Sequence, residues 1–294
     1  MQSKVIDREV NKSNTEMSVH IPAELRGVLK ERRKDTHKGS YGKVGVVAGS
    51  KGMTGANYLT SMAALRTGSG LVYSFVPSSL VDIMSNKFIE VIVREIPDNS
   101  QILEVVKETD GLAIGPGLGM DTQTTGMVKE LLLGYDKPIV LDADGINCLS
   151  KDPGLLRQRK GITIITPHPG ELAELLNKDI KEIQENRVFY SKYTSNEYKV
   201  ITVLKGHNTI VTDGNFVYTN STGNPGMSTA GSGDVLTGII VSLLCQGISP
   251  FDSGALGAYV HGLSGDLAAT IKGEYGLIAT DILECIPEAM KRLL

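Results

Sequence analysis

The sequence has little cysteine, little net charge and no long apolar run, and each shortage closes off a class of protein. Its 294 residues carry three cysteines, Cys148, Cys245 and Cys285. Thiols so few and so scattered, each in an apolar context, supply neither a disulfide framework nor a zinc site, and they fit a reducing cytoplasm. A formal net charge of −3 gives no general pull towards nucleic acid or an anionic membrane, so an anionic ligand must be held locally. Basic residues do gather at Lys30, Arg32, Arg33, Lys34, His37 and Lys38, but Glu31 and Asp35 interrupt them. A solvated helix end is expected there. No stretch approaches the ~18 apolar residues that cross a bilayer. Residues 1–20, with Lys4, Asp7, Arg8, Glu9, Lys12 and Glu16, lack the apolar core of a secretory signal and read as a loosely ordered tail.

What is present is ordinary globular composition, 41% hydrophobic and 21% charged, enough for a sizeable core. One α/β domain over residues 21–294 is expected. From Val44 onward, short β-rich runs alternate with helical patterns, as in parallel strands joined by crossover helices. Strands are predicted at Val44–Ala48, Leu71–Val76, Val91–Ile96, Leu112–Ile114, Ile139–Leu141, Ile162–Ile165 and Val200–Leu204, so the sheet has at least seven. A helix is predicted over Ala56–Arg66, burying Ala56, Leu59 and Ala63, and Ser78-Ser79 is expected to cap the next. Thr209–Thr212 and Phe216–Tyr218 flank Asp213-Gly214-Asn215, which reads as a hairpin that breaks the parallel pattern at one edge. A buried helix is predicted over Gly233–Cys245, with two more helical segments after it.

The sharpest chemical signal is Asn224-Pro225-Gly226-Met227-Ser228-Thr229-Ala230-Gly231-Ser232-Gly233-Asp234, where small residues lead into an apolar helix. Unpaired amides converge at such a helix start, and glycines let an anion come close. Asp234 in the first turn is placed to take a proton from a hydroxyl beside that anion. The residues alone leave open whether Asp234 merely caps the helix. Lys205 at a strand end, followed by Gly206, suits a ligand or a solvated turn equally. His168 between Pro167 and Pro169 presents its ring at the sheet's carboxyl edge, where ligands gather, or packs structurally. Asp142 and Asp144 follow a strand and could orient a substrate, hold a metal indirectly or, for Asp144, cap a helix. His20, His37, His207 and His261 show no ligand spacing, and no metal site is assigned to protein side chains. Gly39-Ser40-Tyr41-Gly42-Lys43 lacks P-loop spacing, and Gly49, Gly52 and Gly55 do not form a dinucleotide fingerprint.

Thr-Ala-Gly-Ser-Gly-Asp before an apolar helix resembles the anion-hole signature of the ribokinase-like superfamily. Segments at His37–Gly42, Ala113–Gly119, Leu141–Asn147, Thr166–Glu171 and Leu204–Thr209 occur in the order seen in the NAD(P)H-hydrate dehydratases. The resemblance covers roughly residues 22–290. It implies a ribokinase-like three-layer α/β/α sandwich with a mostly parallel central sheet and an antiparallel edge. It implies dehydration of the S epimers of hydrated NADH and NADPH, by phosphoryl transfer to the ring hydroxyl and loss of phosphate, with ADP or ATP as co-substrate and Mg2+ on its phosphates. Asp234 would be the base and Gly231, Ser232 and Gly233 the anion hole. Lys205, Gly206, His207, Asn208 and Thr209 would hold the nucleotide with Gly233, while Ala56, Gly117, His168 and Asp234 would contact the hydrated dinucleotide. A homotetramer is also implied, with no nucleic-acid or membrane partner. Freestanding length favours ADP over ATP and leaves no room for an epimerase domain. Two rival readings are a ribokinase-like kinase of a vitamin-precursor alcohol and an inert nucleotide-sensing subunit.

Overall fold

A computed structural model describes residues 21–96 and 101–294; the expected tail at 1–20 lies outside the described residues. Nine strands join in one sheet: β1 (Lys43–Val47), β2 (Leu71–Pro77), β3 (Ile92–Ile96), β4 (Gly111–Ile114), β5 (Ile139–Leu141), β6 (Thr163–Ile165), β7 (Ile201–Leu204), β8 (Ile210–Thr212) and β9 (Val217–Thr219). Their order is β3-β2-β1-β4-β5-β6-β7-β8-β9, parallel from β3 to β7 and antiparallel over the last two pairings. The hairpin at Asp213 is tied by that side chain, whose Oδ1 accepts from the amides of Asn215 and Phe216 at 2.8 Å.

Both sheet faces are covered, which explains why the central strands read as unbroken apolar runs. On one face lie α1 (Thr54–Arg66), α2 (Ser78–Lys87), α10 (Ser232–Cys245), α11 (Pro250–Lys272) and α12 (Ala279–Lys291). The other face carries α3 (Ile102–Val106), α4 (Thr122–Gly134), α5 (Asp144–Asn147), α6 (Leu155–Gln158), α7 (Pro169–Leu176), α8 (Ile180–Glu185) and α9 (Arg187–Tyr198). The pleat divides β1 accordingly, Val44 and Val46 into the first core and Val47 into the second. Helix α10 packs across β1, β4 and β5 and is buried along nearly its whole length, so its N-terminus is fixed relative to those strands. Because the chain runs from β1 out to β3 and then back to β4, the order reverses between β1 and β4. The carboxyl ends there form a crevice suited to ligands.

Three local expectations differ from the structure. Ser78 is the first residue of α2 rather than its cap; Pro77 holds the cap position and no side chain bonds across it. The basic cluster stands on a helix only at its end, where His37 caps and Lys38 opens a 3-10 turn (Lys38–Tyr41); residues 30–36 are irregular, with Arg32 lying over the Tyr41 ring and Arg33 paired to Asp35. Helix α1 begins at Thr54, one turn-fraction earlier than expected; Ala56 and Ala63 are buried and Leu59 partly so.

Candidate active site

Helix α10 opens on Gly231, whose φ of 88° is left-handed and whose hypothetical Cβ would run into Leu59 of α1. Glycine is required there on both counts. No side chain caps the helix, so Asp234 in the first turn is not a cap. Among the described residues, the amides of Gly233 and Asp234 have no protein acceptor, which leaves two donors and the positive end of the helix dipole for an anion. Gly233 is also a close approach: a Cβ on it would lie 3.4 Å from Lys205 Nζ.

Below this turn lies a buried charge network. Asp142, 1% exposed at the end of β5, accepts from Lys205 Nζ at 2.5 Å and from Thr237 Oγ1 at 2.8 Å. Glu171 Oε2 stands 3.7 Å from the same ammonium and also accepts from the His168 amide at 2.7 Å. Burial works against the Lys205 ammonium, but Asp142, Glu171 and Asp234 outweigh it and hold its pKa above the ordinary value. Burial, reinforced by the Asp142 charge and opposed by Lys205, pushes the Asp234 carboxyl up to about 6. A carboxylate tuned into that range is suited to accept a proton near neutral pH. Burial likewise raises Glu171 against the pull of Lys205. Ala143, between Asp142 and Asp144, has φ 47° and ψ −121°, a strained conformation for a residue with a Cβ.

A cleft of about 860 Å³ opens beside the network. It brings together His168, the whole Lys205–Thr209 loop, Ser232 and Gly233. Ala56 and Gly117 do not line it. They meet each other at the β1/β4 crevice, where a Cβ on Gly117 would lie 3.0 Å from the Ala56 Cβ. Gly231 and Asp234 do not line the cleft either: Gly231 stands against Leu59 of α1, and Asp234 lies within the field of Lys205 and Asp142. His168 has a structural duty as well: its Nδ1 accepts from the Glu171 amide at 3.1 Å as the cap of α7, while its side chain stays 55% exposed.

Two participants escaped the sequence. His261 of α11 lines the cleft, with Nε2 3.2 Å from Ser232 Oγ, and burial lowers its pKa to about 4, so the ring is neutral at ordinary pH. It lies in a long apolar helix with no motif around it. Thr237 is one turn beyond Asp234 and reads as core. Asp142 and Asp144, left open by the sequence, take separate tasks, since Asp144 Oδ2 accepts from the Gly119 amide at 2.7 Å. Among the described residues no three His, Cys, Asp or Glu side chains converge as metal ligands, and both Asp142 oxygens are already engaged.

A ribokinase-like three-layer sandwich whose strand ends carry an uncapped helix start with two unpartnered amides defines the class of this protein. Within that class, residues 44–288 match the sequence profile of the NAD(P)H-hydrate dehydratases, and the chain belongs to that family. It is 43% identical over 280 residues to the bifunctional NAD(P)H-hydrate repair enzyme Nnr of Moorella thermoacetica, covering 91% of this chain and 53% of that protein. It is 37% identical to the ADP-dependent (S)-NAD(P)H-hydrate dehydratase of Neisseria meningitidis serogroup B, covering 87% of each. The chain thus spans about half the length of the bifunctional relatives it matches. Among solved structures, the ADP/ATP-dependent NAD(P)H-hydrate dehydratase of Bacillus subtilis, co-crystallised with ATP/Mg2+, superposes with a TM-score of 0.80 at 27% identity, covering 92% of this chain and 96% of that one. No described helix is long and apolar enough to cross a membrane.

Proposed function

We propose that the chain restores NADH and NADPH from their S-hydrates, with ADP or ATP as phosphoryl donor. The observation that carries this reading is the placement of Asp234. Its carboxyl is pushed up to about 6 at an uncapped helix start, beside a cleft that the Lys205 loop also lines. The names of the Neisseria and Bacillus relatives support the substrate and the nucleotide. Lys205, Gly206, His207, Asn208, Thr209 and Gly233 bind the nucleotide. Ala56, Gly117 and His168 hold the hydrated dinucleotide. The Gly231–Gly233 turn, with the free amides of Gly233 and Asp234, holds the transferring phosphoryl group.

In the first step the ring hydroxyl attacks the terminal phosphorus. Its proton passes to Asp234, and the bond to the departing nucleotide breaks. In the second, the ring nitrogen pushes electrons towards the carbon that bears the new ester. The C–O bond breaks, phosphate leaves, and loss of a proton from the adjacent carbon completes the dihydronicotinamide ring. Magnesium, present with ATP in the Bacillus relative, would neutralise phosphate charge; among the described residues no cluster of three ionisable ligands stands ready for it. A cytoplasmic setting accords with three free thiols, and a homotetramer with exposed apolar residues such as Phe189 and Tyr275.

The test is incubation with hydrated NADH, Mg2+ and either nucleotide, following NADH absorbance. Recovery with at least one nucleotide is expected. No recovery with either removes the proposal, and a stable phosphorylated product from another alcohol would put a small-molecule kinase in its place.

A further inference from the structure

The loop that lines the cleft from Lys205 to Thr209 is held from behind by an arginine that does not itself line the cleft. Arg187 opens α9, and its guanidinium spends its terminal nitrogens on three carbonyls of this one segment. Nη1 donates to His207 O at 2.8 Å, and Nη2 donates to Leu204 O at 3.1 Å and Lys205 O at 3.3 Å. Burial lowers the arginine's pKa, and no acidic partner offsets that cost. A half-buried cation committed to main-chain oxygens shapes the backbone.

The consequence follows from peptide planarity. In a trans peptide the C=O and the following N–H point in opposite directions. With the Leu204 carbonyl on Arg187, the Lys205 amide turns the other way and bonds Pro167 O at 2.9 Å. By the same geometry, fixing the Lys205 and His207 carbonyls turns the amides of Gly206 and Asn208 away from the guanidinium. Among the described residues neither amide has a protein acceptor, and both residues line the cleft. Their φ values, 132° at Gly206 and 53° at Asn208, lie in the positive region. A Cβ on Gly206 would sit 3.2 Å from Arg187 Nη1, so glycine also lets the guanidinium reach its carbonyls. Successive free amides in such a backbone make an anion-binding concavity. The Gly206 carbonyl, the one not bound by Arg187, accepts from Thr209 Oγ1 at 3.0 Å and closes the turn.

We propose that Arg187 is the positioning residue of this nest: by holding three carbonyls behind the loop, it aims the Gly206 and Asn208 amides at a phosphate group of the nucleotide. The inference rests on the nucleotide reading of the loop and adds a residue outside it. Lysine cannot replace the fork, because a single ammonium cannot hold three oxygens in this geometry.

Calorimetric binding of ADP and of adenosine to the wild type, Arg187→Gln and Arg187→Lys tests it, with thermal melting to show that each variant is folded. Both variants are expected to lose ADP affinity by about tenfold or more while adenosine affinity stays within about twofold, because only phosphate meets the nest. Added guanidinium ion should restore part of the ADP affinity of Arg187→Gln. Should that variant not fold, Arg187→Lys carries the same comparison. Equal losses for ADP and adenosine, or unchanged ADP affinity in a folded variant, overturn the proposal. A wild type that binds ADP but does not restore NADH overturns the reaction and leaves Arg187 standing. One that does not bind ADP overturns both.

Discussion

Two stretches of backbone at this sheet edge leave amides without a protein acceptor among the described residues, and they differ in the side chain each one carries. The Lys205–Thr209 loop carries an ammonium, which reaches across to Asp142 and the Gly233 turn, whereas the Gly231–Asp234 helix start carries a carboxylate. A cation attracts bound and transferring phosphate alike, so it serves affinity. A carboxylate repels phosphate, and its place beside one makes sense only where a proton must be taken. In the proposed function, binding and chemistry are thus divided between two elements, joined by Asp142, which holds Lys205 and raises Asp234.

The largest effect that would break this division is expected at the carboxylate. Asp234→Asn should lower turnover by ~10² or more while ADP affinity stays within about twofold, measured by steady-state kinetics and calorimetry. Rates near wild type would place the base elsewhere. The same substitution should stabilise the fold at neutral pH. Burial raises the Asp234 carboxyl from its ordinary 3.8 to about 6 in the folded protein. The unfolded chain therefore holds fewer protons between those values, and stability falls as pH rises across that window, by about 3 kcal/mol at most. Denaturant unfolding from pH 4 to 7 should show this slope in the wild type and lose it in the asparagine variant.

The converse is expected at the cation. Lys205→Met should raise the nucleotide KM by about tenfold or more, a larger proportional change than in kcat. It also strands buried Asp142, at about 3–5 kcal/mol of stability. Adding Asp142→Asn should return part of that stability and none of the affinity. If kcat falls as far as in Asp234→Asn and KM holds, the two elements are not divided as described.

A smaller effect sharpens the link between them. The rising limb of kcat/KM against pH should lie near pH 6, and Asp142→Asn should move it lower, because one of the charges that raises Asp234 is gone. An unmoved limb would mean that Asp142 does not tune the base. Smallest of all, Thr237→Val removes one hydrogen bond to Asp142 and should cost about 1–2 kcal/mol in unfolding with little change in turnover.

The Gly231–Asp234 turn was legible because its signal is contiguous: small residues, an acidic residue and an apolar helix in one stretch. The parallel strands and the Asp213 hairpin were legible for the same reason, since alternation and turn chemistry are local. The Asp142–Lys205 pair was not, because the two residues lie 63 positions apart and meet only when β5 and β7 are in one sheet. His261 gave no signal, since a histidine in an apolar helix looks the same facing core or cleft. The Ser78 cap failed by one residue at the boundary, and the helix end expected under the basic cluster is confined to His37 and Lys38, because tertiary context overrides propensity.

The central claim is that phosphate put on the substrate does not stay there. Its most direct test is the stoichiometry of a single reaction containing hydrated NADH, Mg2+ and ADP, with ATP run in parallel. The account predicts one free phosphate and one NADH for each nucleotide consumed, with no phosphorylated product accumulating. Nucleotide consumption with the phosphate retained on the product, and no NADH regained, would contradict it.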